Sequence, residues 1–153
     1  MKNHHYPAGF TVLEMVMVIL IIGIVAGAAV GALSDARQRQ RDSQRVTDVS
    51  ELQVALAAYK RDLGVYPSII TVGEEIRGTG AATTSQYLAR VPTPPTPQDG
   101  DCGSYPAYAT YYYLPSGNYL SYSLFFCLGD QTTDLPAGGQ VAHPTGIVSG
   151  YPD

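Results

Sequence analysis

From Met15 to Leu33 the chain runs for 19 residues without an ionisable side chain; 16 are apolar and three are glycine. No other feature restricts the fold so strongly. At about 1.5 Å per residue, a helix from Phe10 to Leu33 spans roughly 36 Å, enough to cross a hydrocarbon layer of about 30 Å. Such a helix has no polar face to turn to water, so it needs lipid or other helices around it. That argues against a simple cytosolic globule. An ordinary membrane anchor fits the length. So does a secretory signal cleaved near Ala26-Gly27-Ala28. Neither gives Glu14 a purpose, and a carboxylate at the edge of an apolar span is costly without a partner.

The rest of the chain has a different economy. Its 153 residues make about one domain plus an anchor, with 9 Lys+Arg against 13 Asp+Glu. The acidic balance, without a basic patch, argues against a nucleic-acid binder, and no nucleic acid is expected as a partner of the head. Two cysteines cannot supply a four-ligand zinc site. Between Asp35 and Asp62 there are six positive and five negative residues. Here Val46, Val49, Leu52, Leu56, Tyr59 and Leu63 recur at steps of three and four, which predicts an amphipathic continuation of the helix. Arg45, Asp48, Glu51 and Arg61 fall off that stripe, so the arginine cluster reads as a solvated or headgroup-facing surface. Gly64 and Pro67 end the helix, giving one helix over residues 10–63.

From Gly64 onward the chain is rich in glycine, proline and tyrosine. Ser85–Arg90 reads as a short helical turn. Val91-Pro-Thr-Pro-Pro-Thr-Pro-Gln-Asp-Gly100 must be extended or turning. Tyr108–Leu114 and Tyr119–Leu128, with Pro115-Ser-Gly-Asn118 between them, predict a β-hairpin. Alternation places Tyr122, Leu124 and Phe126 on the face that packs on the helix stripe. Val141-Ala142 or Ile147–Ser149 supplies a third strand.

The residues Gly9-Phe10-Thr11-Val12-Leu13-Glu14, followed by the unbroken apolar run, resemble the N-terminus of type IV prepilins and of type II secretion pseudopilins. Leu52-x-x-Ala55-Leu56-x-x-Tyr59 leading to Gly64-Val65-Tyr66-Pro67 resembles the end of the helix in the same family. The resemblance implies an α+β pilin fold, with one long helix packed on a small antiparallel sheet. It implies a leader over 1–9, cut after Gly9 by a prepilin peptidase, with N-methylation of Phe10. Residues 10–33 become the membrane and filament-core segment, 34–66 the amphipathic continuation and turn, and 67–153 the head. Glu14 is then the partner of a neighbouring subunit's terminal amine. Gly23, Gly27 and Gly31, four apart on one face, allow close helix approach. The implied partners are other copies and related pilins, the peptidase, a membrane assembly platform and the lipid bilayer. The implied location is the cytoplasmic membrane with the head outside, then a filament. Charge alone, Lys2 against Arg37, Arg39, Arg41 and Arg45, favours the reverse orientation. Pilus and secretion subunits share all these motifs. The competing class is a membrane-anchored or secreted binding module that forms no filament.

Two further features follow from an exported head. Cys102 and Cys127 are expected to form a disulfide, as in many pilins; two separate thiols are the alternative. Asp99 and Asp101, in Asp-x-Asp-x-Gly, with Asp130 and Asp134 in another loop, are calcium candidates because calcium takes such oxygen clusters. A solvated acidic turn is the plainer reading, and no other cofactor is implied. No nucleophile elbow or phosphate loop is present, and His143 stands in a Gly-rich tail, so a catalytic role is not expected.

Overall fold

A computed structural model describes residues 9–80, 84–104 and 108–150 of the chain. Most of the expected leader lies outside the described residues. The chain divides into two units, Met1–Arg37 and Gln38–Asp153. A single helix, α1 (Val12–Leu63), supplies the described helical part of the first unit and the opening element of the second.

The helix begins two residues later than the apolar pattern alone predicts, because Thr11 caps it. The Thr11 hydroxyl oxygen accepts the Glu14 backbone N–H at 3.2 Å, and the Thr11 carbonyl accepts from Met15 at 3.2 Å. Thr11-x-x-Glu14 is thus a capping sequence as well as part of the family motif. The far end is a glycine stop: Gly64 has φ of 78° and donates to the Lys60 carbonyl at 2.7 Å.

In the second unit, Val49, Leu52, Ala55, Leu56 and Tyr59 are buried on one face of α1, with Val46 and Leu63 partly buried beside them. They meet a four-stranded antiparallel sheet ordered β3-β4-β5-β6: β3 (Tyr112–Ser116), β4 (Ser121–Leu128), β5 (Gly138–His143) and β6 (Gly146–Ser149). Tyr122, Leu124, Phe126 and Leu128 of β4 join the helix stripe in one core, on the face the alternation predicts. Phe125 and Cys127 point the other way and pack with Cys102, Tyr108 and Val141. Both candidate stretches for a third strand are strands, since β5 pairs with β4 and β6 with β5.

The hairpin turn lies further along than expected. Pro115 stays in β3, opposite Tyr122, which an edge strand tolerates because its missing N–H faces away from the ladder. The reversal falls on Gly117, Asn118 and Tyr119, all with positive φ (58°, 55° and 66°). A left-handed tyrosine is held there by its neighbours. The Tyr119 carbonyl accepts the Tyr66 N–H at 2.7 Å, and Lys60 Nζ donates to the Leu120 carbonyl at 2.8 Å.

Ser85–Arg90 is not helical. Residues Gln86–Leu88 form β2, paired antiparallel with β1 (Ile76–Arg77). So short a segment cannot offset helix nucleation. The strand form gains a shared anchor, as Arg77 Nε donates to Glu75 at 2.7 Å and Gln86 Nε2 at 2.6 Å. Tyr87 of β2 lies edge-on to Tyr59 of the helix, with ring centroids 5.2 Å apart.

Leu52 is fully buried where helix and sheet meet. Leu52→Ala is expected to destabilise the head by about 2–5 kcal/mol, read as a shift in the denaturant midpoint of the detergent-solubilised protein. An unchanged midpoint would contradict the packing described.

Candidate functional site

The N-terminal unit presents its sequence almost without cover. Phe10 is 77% exposed, Val12 83% and Leu13 70%, and the large apolar residues from Met15 to Val25 remain exposed around the helix. A β-carbon added at Gly23, Gly27 or Gly31 would meet nothing within 4 Å. These glycines therefore answer no packing need among the described residues of this chain. An apolar helix with no covered face is complete only in lipid or against other helices. Glu14 sits in its first turn, where the helix dipole favours a negative charge. Among the described residues its carboxylate has no ion-pair partner.

The second unit contains a buried charge cluster at the start of its helix. The Asp42 carboxylate is 1% exposed and saturated: it accepts the N–H groups of Gly129 and Asp130, both at 2.9 Å, and Arg45 Nη1 at 2.5 Å. Arg45 is 3% exposed and reaches further, donating through Nη2 to the carbonyls of Pro95 (3.0 Å) and Pro97 (3.2 Å). Proline carbonyls suit this role because a Pro-rich segment has few ladder partners of its own. Arg41 grips Asp99 with both ends of its guanidinium, at 2.7 and 2.5 Å, and Arg45 lies 3.5 Å from the same carboxylate. Two arginines and two aspartates thus tie the helix to the Pro-rich loop and to the end of β4. The expectation of a solvated arginine face is corrected here for Arg41 and Arg45.

The clamp requires close backbone approach. A β-carbon on Gly129 would collide with the Asp99 side chain, and one on Gly100 would lie 2.6 Å from the Gly129 carbonyl oxygen. One turn along, Asp48 is buried and accepts the Tyr111 hydroxyl at 2.6 Å. Cys102, in a 3-10 turn (Gly100–Ser104), is bridged to Cys127 of β4. The bridge lies on the opposite side of the sheet from the helix core.

The four calcium candidates are spread over different tasks. Asp99 is taken by Arg41, Asp130 caps the Gln131 N–H at 2.7 Å and lies 3.9 Å from exposed Arg39, and Asp101 and Asp134 are exposed. Among the described residues no three acidic, His or Cys side chains gather where they could hold a metal ion. His143 ends β5, with Nδ1 3.2 Å from the Tyr122 carbonyl. The clamp was hidden in the sequence because its partners on other elements lie 50 or more positions apart; Asp42-x-x-Arg45 was its local trace.

Two carboxylates of this region respond to pH in opposite directions. The Arg41 hydrogen bond chiefly holds Asp99 below the ordinary carboxylate range, against some opposition from burial. Burial pushes Asp48 up, partly offset by the Tyr111 hydroxyl.

Residues 5–30 match the model of the prokaryotic N-terminal methylation motif. The chain is 34% identical over 96 residues to the type II secretion system core protein G of Vibrio cholerae serotype O1, covering 63% of this chain and 56% of that one. It is 38% identical over 61 residues to the Aeromonas hydrophila core protein G, covering 40% and 43% of the two chains. The Escherichia coli K12 core protein G is 38% identical over 60 residues, 39% and 41% of the two. The chain spans about half the length of the curated relatives it matches. No solved structure gives a significant match.

Removing one member of a buried pair strands the other. Arg45→Ala is expected to destabilise the head by about 3–5 kcal/mol. An apolar replacement of Asp42 and Arg45 together should cost less than the sum of the single changes. Additive losses in a double-mutant cycle would contradict the clamp. The pH response can be checked in the same unfolding assay. Asp99's contribution is full above the unfolded carboxylate value of about 3.9 and is lost as pH falls through its lowered folded value. Asp48's runs the other way: it is full below the unfolded value and lost as pH rises through the raised folded one. Asp99→Asn should therefore flatten the acid-side loss. Asp48→Asn should be at least as stable as the parent at pH 7, and a loss there would contradict the burial cause.

Proposed function

We propose that the chain is a member of the type IV pilin and pseudopilin family and a structural subunit of a type II secretion pseudopilus. It is made as a precursor, cleaved between Gly9 and Phe10 by a prepilin peptidase and N-methylated on Phe10. Its apolar helix anchors it in the cytoplasmic membrane, with the head outside the cytoplasm. A membrane platform then moves it into a filament of its own copies and related subunits. The observation that carries this reading is the joining of the Gly9-Phe10 and Glu14 motif to a helix whose large apolar side chains are exposed. The names of the relatives favour the secretion system over a pilus.

Cleavage creates a cationic amine at Phe10, four residues from Glu14. In a bundle of apolar helices either charge alone would be costly to bury. Pairing the Glu14 carboxylate of one subunit with the amine of the next removes both costs at once and sets the axial register. Gly23, Gly27 and Gly31 give the bundle a face on which backbones can come close.

Co-expression with a prepilin peptidase should shorten the chain by the nine residues up to Gly9 and add a methyl group at Phe10. Cleavage near Ala28, or an intact N-terminus, would overturn the proposal. Glu14→Ala should insert into the membrane and be cleaved, yet fail to form filaments visible by electron microscopy. Undiminished filaments would remove the role assigned to Glu14.

A further inference from the structure

The turn that joins β3 to β4 does not have the composition of a turn that meets only water. Reversals favour Gly, Asn, Asp and Ser, yet this one runs Gly117-Asn118-Tyr119-Leu120 and leaves Tyr119 and Leu120 exposed. Tyr119 is held in left-handed backbone, which a bulky residue keeps only where its surroundings impose it. Beside it, Lys60 Nζ donates to the Leu120 carbonyl and stands 4.6 Å from the centre of the Tyr66 ring. Among the described residues no carboxylate pairs with Lys60. The tip is therefore apolar, with one cation that no acid neutralises. A second surface of the same unit carries the opposite charge. An open groove of about 370 Å³ runs between α1 and β2, lined by Thr47, Ser50, Glu51, Val54, Tyr87 and Leu88. Val54 is 71% exposed there, and Glu51 is exposed with no ion pair among the described residues.

We propose that the hairpin tip of one copy seats in the α1–β2 groove of the next, with Tyr119 and Leu120 against Val54 and Leu88, and Lys60 beside Glu51. The occupant is a second copy because each surface finds its complement on this same chain: apolar against apolar, ammonium against carboxylate. The ion pair lies at the rim, where it fixes register more than affinity. One chain does not join its own two surfaces. Val54 and Lys60 are six residues apart on the helix, which turns them about 120° from each other. Two unlike surfaces make a heterologous contact, and each added copy leaves a new tip or a new groove open, so the contact repeats along an array. With copies parallel, Glu51 and Lys60 are nine residues apart, which sets each copy about 13 Å along the helix direction from the last. This docking rests on the filament reading and assigns it the faces by which heads meet.

The two native cysteines are bridged to each other, so cysteines placed at Val54 and Leu120 report the contact alone. Both side chains are exposed and outside the core, so the variants keep the fold. The full chain is expressed with peptidase and assembly platform, and its filaments are mildly oxidised. V54C/L120C should then give a ladder of disulfide-linked multimers on a non-reducing gel. Filaments mixing the two single variants should give dimers, and filaments of either single variant should give monomers. Glu51→Lys in the double-cysteine chain should weaken the ladder several-fold, and high salt should do the same to the parent by screening the rim pair. Filaments that yield no ladder overturn the proposal. So does a single variant that crosslinks to itself or to another protein, and a ladder indifferent to Glu51→Lys overturns the charge match. The N-terminal peptide of the same sample separates the two readings. A mature Phe10 terminus in filaments without a ladder removes only the docking. An intact leader without filaments removes the filament reading and the docking with it.

Discussion

An apolar helix whose large side chains stand exposed sets the terms for everything else. From Val12 to Val25 the large side chains remain exposed, and residues up to Leu33 carry no charge other than Glu14. Transfer of such a surface out of water is favourable by about 25 cal/mol per Å², so the helix is stable only with an apolar surrounding. The core of the second unit draws on helix residues from Val46 onward. Lipid and neighbouring helices are the two surroundings the proposed function supplies in turn. In that proposal Glu14 and the Phe10 amine are the charges that must be reconciled with an apolar bundle.

The head has a small core and adds to it. Surface ion pairs such as Arg61 with Asp62 contribute little, about 0–1 kcal/mol. The Arg41, Asp42, Arg45 and Asp99 cluster is different because it is buried and its hydrogen bonds are met. Its worth lies less in net stability than in fixing which loop lies against the helix. The Cys102–Cys127 bridge closes a separation of 25 residues, for which chain entropy gives on the order of 3 kcal/mol. Bridge and clamp hold the same loop region, through Cys102 and Asp99. The clamp also bears on membrane orientation. Two of the four arginines that charge alone would place in the cytoplasm are committed to folding the head.

Local chemistry was legible in the sequence, and distant pairing was not. The helix, its Gly64 stop, the face of β4 toward the core and the two strands beyond it all follow from periodicity and punctuation. The Ser85–Arg90 segment misled because six residues carry little local preference, and Glu75, Arg77 and Tyr59 settled its form from elsewhere. The hairpin turn shifted because Pro115 reads as a breaker, yet an edge strand accepts it. Arg45 and Asp48 looked solvated because their charge was visible and their partners, more than 45 residues away, were not. The acidic loop offered calcium candidates beside the plainer reading of a solvated turn, and Asp99's partner, an arginine on the helix, was not visible.

The central claim is that the helix exchanges lipid for copies of itself after processing. A photoreactive amino acid at Ile21, on the exposed helix, tests it directly. In membranes without the peptidase, illumination should give lipid adducts. With the peptidase and assembly platform present, it should give covalent dimers of the cleaved chain. Lipid adducts alone under both conditions would contradict the account.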